Sequence, residues 1–180
     1  MVNDFPLERD YDSIPANEFI NEIKSWRIDN NDVGLIVYAG HGPVPTFYRL
    51  VGENEYVKEH VYAKEFKDLI DSINFGRLIF VHGACQAEMY LQQLSREGLE
   101  KNVVAIGAMS EMETGGITGA FRFLGNLTKG YSINEAFEDA RKYASNEKIW
   151  QQPEHPVKYF YGKDDSWCNY ESFFKYTKKQ

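Results

Sequence analysis

With 180 residues, 43% of them hydrophobic, the chain is long enough for one sizeable core and shows no boundary between domains. Its formal net charge of −7 argues against a nucleic-acid partner, because phosphate recognition needs clustered basic residues and the 20 here are scattered among 27 acidic ones. No apolar run is long enough to span a bilayer, and the amino terminus lacks a secretory apolar segment. Composition therefore predicts a single α/β domain over 1–180 in a soluble, cytoplasmic protein that binds neither membrane nor nucleic acid.

Hydrophobic periodicity and turn residues divide the chain into short alternating elements. Ser13 is a candidate helix cap, Pro15 suits the first helical turn, and Gly130 and Ser132 suit a helix end and a helix start. The predicted elements, in chain order, are an extended lead-in over 1–12, a helix opened by Ser13 and Pro15, a strand over 33–39, a small hairpin within 43–58, a crossover helix over 61–73, a strand over 77–82, a helix from Gln86 to Leu94, a strand over 103–108, helices over 117–128 and 132–145, a last strand over 157–162, and an aromatic tail over 163–180 that folds back on the body.

Two of these strands end in small residues followed by a reactive side chain. Leu35-Ile36-Val37-Tyr38-Ala39-Gly40 leads to His41, and Leu78-Ile79-Phe80-Val81-His82-Gly83-Ala84 leads to Cys85. Such apolar, β-branched runs are typical of buried parallel strands, and ligands bind beyond the carboxyl ends of parallel strands. We therefore expect an imidazole and a thiol to meet at one crevice, while His82 points into the sheet layer or forms a local hydrogen bond.

This pair of side chains suits nucleophilic catalysis. A thiol attacks a carbonyl carbon as the thiolate, and an imidazole can take its proton and later protonate the leaving amine. The helix predicted after Cys85 would direct its amino-terminal dipole at the sulfur, which favours the thiolate. The backbone amides of Gly42 and Cys85 are candidates for an oxyanion hole, and the small Gly83 leaves room for a substrate side chain.

The other cysteine, Cys168, lies in the polar, aromatic tail and is expected to be unreactive. The two cysteines form neither a Cys-x-x-Cys motif nor metal-ligand spacing. The sequence thus predicts a reduced, intracellular protein without a metal or other cofactor.

The motifs Tyr38-Ala39-Gly40-His41-Gly42 and Gly83-Ala84-Cys85 resemble those of the caspase-like cysteine peptidases: caspases, metacaspases, legumain, separase, gingipains and CHAT-domain proteases. Further likeness lies in Asp10-Tyr11-Asp12-Ser13-Ile14-Pro15 (legumain), Glu113-Thr114-Gly115-Gly116-Ile117-Thr118-Gly119-Ala120-Phe121 (metacaspases), and Gly130-Tyr131-Ser132-Ile133-Asn134-Glu135-Ala136-Phe137 (CHAT and gingipain-type domains). The resemblance covers roughly residues 8–162.

The resemblance implies an α-β-α sandwich with a mostly parallel central sheet, and peptide-bond hydrolysis with His41 as base and acid and Cys85 as nucleophile. Members that prefer a basic or asparagine side chain often carry an acidic residue where this chain has Gly83, so the preferred substrate side chain is open. The loop after the third strand, with Ser110, Glu111 and Glu113, is the candidate substrate pocket, and either glutamate could supply the charge.

Members of this family normally begin with a further strand and helix that this chain lacks ahead of residue 8. Either a second chain or a removed segment completes the sheet, or the sheet is shorter. Family members often need cleavage, calcium or a partner for activation.

Two other functions remain open on the sequence. Gly83-Ala84-Cys85-Gln86-Ala87 approximates the nucleophile elbow of an α/β-hydrolase, in which case the histidine partner would be His155. Alternatively, the chain is a catalytically silent caspase-like module that recruits partners.

Overall fold

In the computed structural model, the residues described are 15–51, 56–110, 118–146 and 154–169. The elements are α1 (Ala16–Lys24), β1 (Val33–Ala39), β2 (Thr46–Leu50), β3 (Tyr56–His60), α2 (Ala63–Asp71), β4 (Arg77–Gly83), α3 (Ala87–Arg96), β5 (Val103–Gly107), α4 (Thr118–Thr128), α5 (Ile133–Ala144), β6 (Val157–Phe160) and a 3₁₀ helix (Ser166–Asn169). The predictions for the lead-in 1–12, for Ser13 and for the tail beyond residue 169 lie outside these ranges.

Four strands form the central sheet in the order β1-β4-β5-β6, in which β1, β4 and β5 are parallel and β6 is antiparallel. β2 and β3 pair as a separate antiparallel hairpin. The predicted α/β class with a mostly parallel sheet is confirmed, and the predicted hairpin is also present. Short apolar runs with crossover helices between them permit this arrangement, since parallel neighbours cannot be joined by a tight turn.

Helices cover both faces of the sheet. On one face, α1, α2 and α3 pack around a core that includes Phe66, Phe80 and Tyr90. On the other face, α4 and α5 enclose a core that includes Val81, Ile106 and Phe123. The central strands β4 and β5 are buried on both faces except at Arg77, as the apolar runs Leu78–Val81 and Val103–Gly107 predict.

The 3₁₀ helix near the carboxyl end returns to this second core through Trp167 and Cys168, both of which are buried. The expected folding back of the tail is confirmed for residues 166–169. None of the helices in the described ranges is long and apolar enough to cross a bilayer.

The caps show where local prediction succeeded and where it did not. Ser132 caps α5 and Gly130 has a φ of +92°, both as predicted. At α1, however, the cap position is held by Pro15, which has no side-chain hydrogen bond. The amide of Ala16 instead donates to the Glu59 carboxylate at 2.9 Å, so a residue of the hairpin satisfies this helix end.

Candidate active site at the carboxyl edge of the sheet

The register of β1 and β4 brings the chain segments of His41 and Cys85 to the same edge of the sheet. Ala39 pairs with Gly83, and the Gly40 N–H extends the ladder by donating to the Gly83 carbonyl at 3.1 Å. His41 and Cys85 each follow two residues after that last matched pair. Adjacent strands lie about 4.8 Å apart. The two segments therefore leave the sheet side by side, with His41 exposed and Cys85 half-buried.

The loop that carries His41 is held by a buried tyrosine. The Tyr38 hydroxyl accepts a hydrogen bond from the Thr46 N–H at 3.0 Å and lies 3.2 Å from the His41 carbonyl, to which it donates. Burial raises the pKa of Tyr38, although the hydrogen bonds to Thr46 and His41 oppose that effect. The hydroxyl stays protonated at neutral pH and can make both contacts.

Two glycines make this loop geometry feasible. A Cβ on Gly40 would overlap the Tyr38 hydroxyl, and Gly42 has a φ of +76°, which side chains rarely adopt. The Gly-His-Gly pattern is thus required by packing and backbone conformation on both sides of the imidazole.

Cys85 lies on an abrupt turn between β4 and α3. Gln86 follows it with a φ of +56°, the one left-handed residue other than glycine in the described ranges. That conformation costs about 1–2 kcal/mol for an ordinary residue and persists because the surroundings impose it. The Glu88 N–H donates to the Met109 carbonyl at 3.2 Å, which ties the first turn of α3 to the end of β5. Cys85 is consequently held beside the amino terminus of α3, as predicted.

Ser110 and His155 lie further along the same edge. Both line a cavity of about 680 Å³ next to α5, together with Glu138, Asp139, Arg141, Lys142, Ser145, Pro156 and Val157. Because Val157 pairs with Gly107 of β5, His155 lies at the carboxyl edge but beyond β5, two strands from β4. The strand that follows His155 is therefore two strand spacings, about 10 Å, from the strand that precedes Cys85. The strand that precedes His41 is directly adjacent to it. Glu111 and Glu113 lie outside the described residues.

His82 points into the core, as expected from its strand. Its ring is fully buried and lies 5.2 Å from the rings of both Tyr38 and Tyr90 and 5.8 Å from that of Phe80, measured between centroids. Neither ring nitrogen makes a hydrogen bond of good geometry within the described ranges, although the backbone of His82 itself and that of Pro43 interact with the ring. Burial lowers the pKa of His82 to about 4, so this imidazole is neutral at physiological pH.

The second thiol has a different environment. Cys168 is buried, and burial raises its pKa to about 11, so it carries little thiolate near neutrality. Across the described ranges, no group of three or more His, Cys, Asp or Glu side chains is placed to share a metal ion.

Sequence reasoning missed Tyr38 and Gln86 as residues that shape the site. Tyr38 lies on the inward-facing side of β1, where Ile36 is also buried, and only its position just before His41 could have drawn attention to it. The left-handed conformation of Gln86 has no signal in the sequence, since glutamine has no preference for it.

No protein-family model matches the sequence, and no curated protein matches it at a significant level. Solved structures do match. One is the crystal structure of protein GSU0716 from Geobacter sulfurreducens, which is 10% identical and superposes with a TM-score of 0.53 over 89% of this chain and 78% of the other. At that identity the likeness shows the fold alone.

Proposed function

We propose that this chain is a cysteine peptidase in which Cys85 is the nucleophile and His41 the general base and acid. The observation that carries the proposal is the β1–β4 register, in which Ala39 pairs with Gly83, two residues before His41 and Cys85 respectively. The motif resemblance to caspase-like peptidases favours the same reaction. The substrate is a peptide bond in a protein or peptide.

The reaction uses groups at that edge. His41 takes the proton from the Cys85 thiol, and the sulfur attacks the carbonyl carbon of the scissile bond. The amides of Gly42 and Cys85 are the candidate donors to the oxyanion that forms. His41 then protonates the leaving amine, which leaves a thioester on Cys85. Water, deprotonated by His41, hydrolyses the thioester and restores the thiol.

Several features support a site prepared for this chemistry. The Tyr38 hydroxyl fixes the backbone of the His41 loop, which limits the positions open to the imidazole. The strained turn at Gln86 presents Cys85 at the start of α3, where helix dipole and amides favour negative charge. The cavity lined by Ser110 adjoins this edge and offers space for a substrate side chain. Its lining mixes acidic and basic groups, so it does not by itself select a substrate charge.

The test is cleavage of a mixed peptide library by the wild type, with and without calcium, compared with three single variants. Cys85→Ala and His41→Ala should each lower the rate by several orders of magnitude. His155→Ala should stay near wild type. A requirement for His155 instead of His41 would favour the α/β-hydrolase alternative, and inactivity of the wild type under every condition would favour the non-enzymatic module.

Alkylation gives a second measurement that needs no substrate. A thiol alkylator at neutral pH should modify Cys85 in preference to Cys168, which is buried and poorly ionised. Cys168→Ala is the matched control and should label as the wild type does. Labelling confined to Cys168 would contradict the assignment of the nucleophile.

A further inference from the structure

The outer side of β1 is unusually open for a strand of a parallel sheet. Leu35 is 37% exposed and Val37 is 42% exposed, whereas strands of parallel sheets are normally covered on both faces. β1 also ends the sheet, and no strand among the described residues pairs with its outer edge. It contains neither a charged residue nor a proline, the devices that usually protect such an edge.

The hydrogen-bonding groups that face outward from this edge can be assigned from the ladder. Gly40 donates to Gly83 and Arg77 donates to the Asp32 carbonyl, so the even-numbered residues of β1 bond to β4. The N–H and C=O groups of the odd-numbered residues therefore point away from the sheet. These are the same residues whose side chains form the open apolar face.

Helix α4 extends this apolar face on one side. Arg122 and Asn126 both bind Asp139 of α5, which places them on the flank that faces α5. At 100° per residue, Phe121 and Leu124 lie on the opposite flank, and Leu124 packs against the same core as Val33 of β1. Phe121 is 58% exposed, although Phe123 of the same helix is fully buried.

We propose that this surface, formed by the edge and outer face of β1 and the Phe121 flank of α4, binds a second copy of the chain by antiparallel pairing of the two β1 strands. Pairing about Ile36 sets Val33 opposite Ala39 and Leu35 opposite Val37, and it uses the whole strand. In this register the odd-numbered residues of both copies form the hydrogen bonds between the two β1 strands. These are the residues whose N–H and C=O groups point away from β4.

The same two-fold axis brings the helices together. This axis is perpendicular to the sheet, so the α4 helices of both copies lie on the same side of it. Each α4 lies above the β4 strand of its own copy, and the two β4 strands are three strand spacings apart, about 14 Å. Packed helices are separated by about 8–10 Å, which leaves a gap that Phe121 and Leu124 of both copies can fill. The pair would cover Leu35 and Val37 with apolar side chains.

The polar groups at the two ends of β1 are complementary in this arrangement, because a carboxylate accepts a hydrogen bond from an imidazole N–H. The turn before β1 carries Asp29 and Asp32, both exposed, and the loop after it carries the exposed His41. Antiparallel pairing sets the acidic turn of each copy beside the imidazole loop of the other. None of the net charge of −7 lies on the paired strands, because β1 contains no charged residue. The proposal does not depend on peptidase activity.

The test is sedimentation of the full chain across the micromolar range, for the wild type and two variants. The wild type should form a dimer, and Val37→Lys should raise its dissociation constant by at least about a hundredfold, because each copy would bury an unpaired ammonium group. Val57→Lys is the matched control: Val57 is an exposed strand valine of the hairpin, 41% accessible, and its substitution should leave the dimer intact.

Amide exchange of the wild type locates the interface independently. The amides of Leu35 and Val37 should gain protection as concentration rises, while those of Ile36 and Tyr38, already bonded to β4, should not change. A monomer at every concentration, larger open assemblies, a dimer unaffected by Val37→Lys, or no change at Leu35 and Val37 would each overturn the proposal.

Discussion

A single phenol organises the residues around the candidate base. The Tyr38 ring belongs to the core against His82 and Phe47, while its hydroxyl reaches the backbone of Thr46 and His41. Core packing and loop position are thus coupled through one side chain. A change in that hydroxyl should affect both stability and catalysis, by different amounts.

Tyr38→Phe removes the hydroxyl and leaves the ring. We expect a loss of about 1 kcal/mol in the free energy of unfolding, since a backbone N–H loses its acceptor. If His41 is the catalytic base, kcat should fall while KM changes little, because the imidazole loop loosens without losing substrate contacts. Urea denaturation and steady-state kinetics measure the two effects.

Tyr90→Phe is the matched control. Its hydroxyl donates to the Val61 carbonyl at 3.0 Å, away from the His41 loop, so the stability loss should be similar and kcat unchanged. Equal losses of kcat in both variants would show that Tyr38 acts through general stability and does not position His41.

At the scale of elements, the buried Glu154 joins two helices. Its carboxylate accepts hydrogen bonds from the Gly119 N–H at 3.0 Å and the Thr118 N–H at 3.5 Å, at the start of α4. Its own N–H donates to the Ala144 carbonyl at the end of α5, also at 3.0 Å. A carboxylate at a helix amino terminus interacts favourably with free amides and the helix dipole. The segment before β6 is therefore anchored to both helices of that face.

Glu154→Gln keeps the size of the side chain and removes its charge. We expect it to lower the free energy of unfolding by about 1–2 kcal/mol, because the buried amides lose a charged acceptor. Glu138→Gln is the control, since Glu138 is exposed and forms an ion pair with Arg141 one turn away, and it should cost less than about 0.5 kcal/mol. Chemical denaturation compares them, and equal effects would refute the capping role of Glu154.

For the molecule as a whole, the buried His82 links stability to pH. Its pKa is lowered by burial from 6.5 to about 4 in the folded state. Between those values the unfolded chain binds a proton that the folded chain does not. Acid in that window therefore favours unfolding, and the free energy of unfolding should fall as the pH drops from about 6.5 towards 4.

His82→Leu should remove this contribution. The wild type should lose up to about 1.4 kcal/mol per pH unit more than the variant between pH 6.5 and 4. At neutral pH the stability of the variant should change little, because the buried ring nitrogens make no hydrogen bond of good geometry that the substitution would remove. His60→Leu, at an exposed position, should retain the wild-type dependence. If the free energy of unfolding depended on pH in the same way in the wild type and in His82→Leu, the assignment of this pH dependence to His82 would be wrong.

What the sequence determined by itself is local. The strands that precede His41 and Cys85, the helices between them and the Ser132 cap follow from side-chain periodicity and turn chemistry within a few residues. The buried strands were also predictable, because β5 is apolar throughout and β4 is apolar from Leu78 to Val81. From these features the sequence predicted a thiol and an imidazole at the ends of two strands.

Only the tertiary structure decided which groups come together across the chain. The order β1-β4-β5-β6 puts the strand before His41 next to the strand before Cys85, and leaves the strand after His155 two positions from it. The Ala16 amide donates a hydrogen bond to Glu59, 43 residues away, and the amide of Gly119 at the start of α4 donates one to Glu154. The open side of β1 likewise depends on where α4 and α5 pack. Contacts of this kind depend on strand order and on how the layers pack. Segments distant in the sequence compete for the same positions in the fold, so a local sequence pattern does not predict which contact forms.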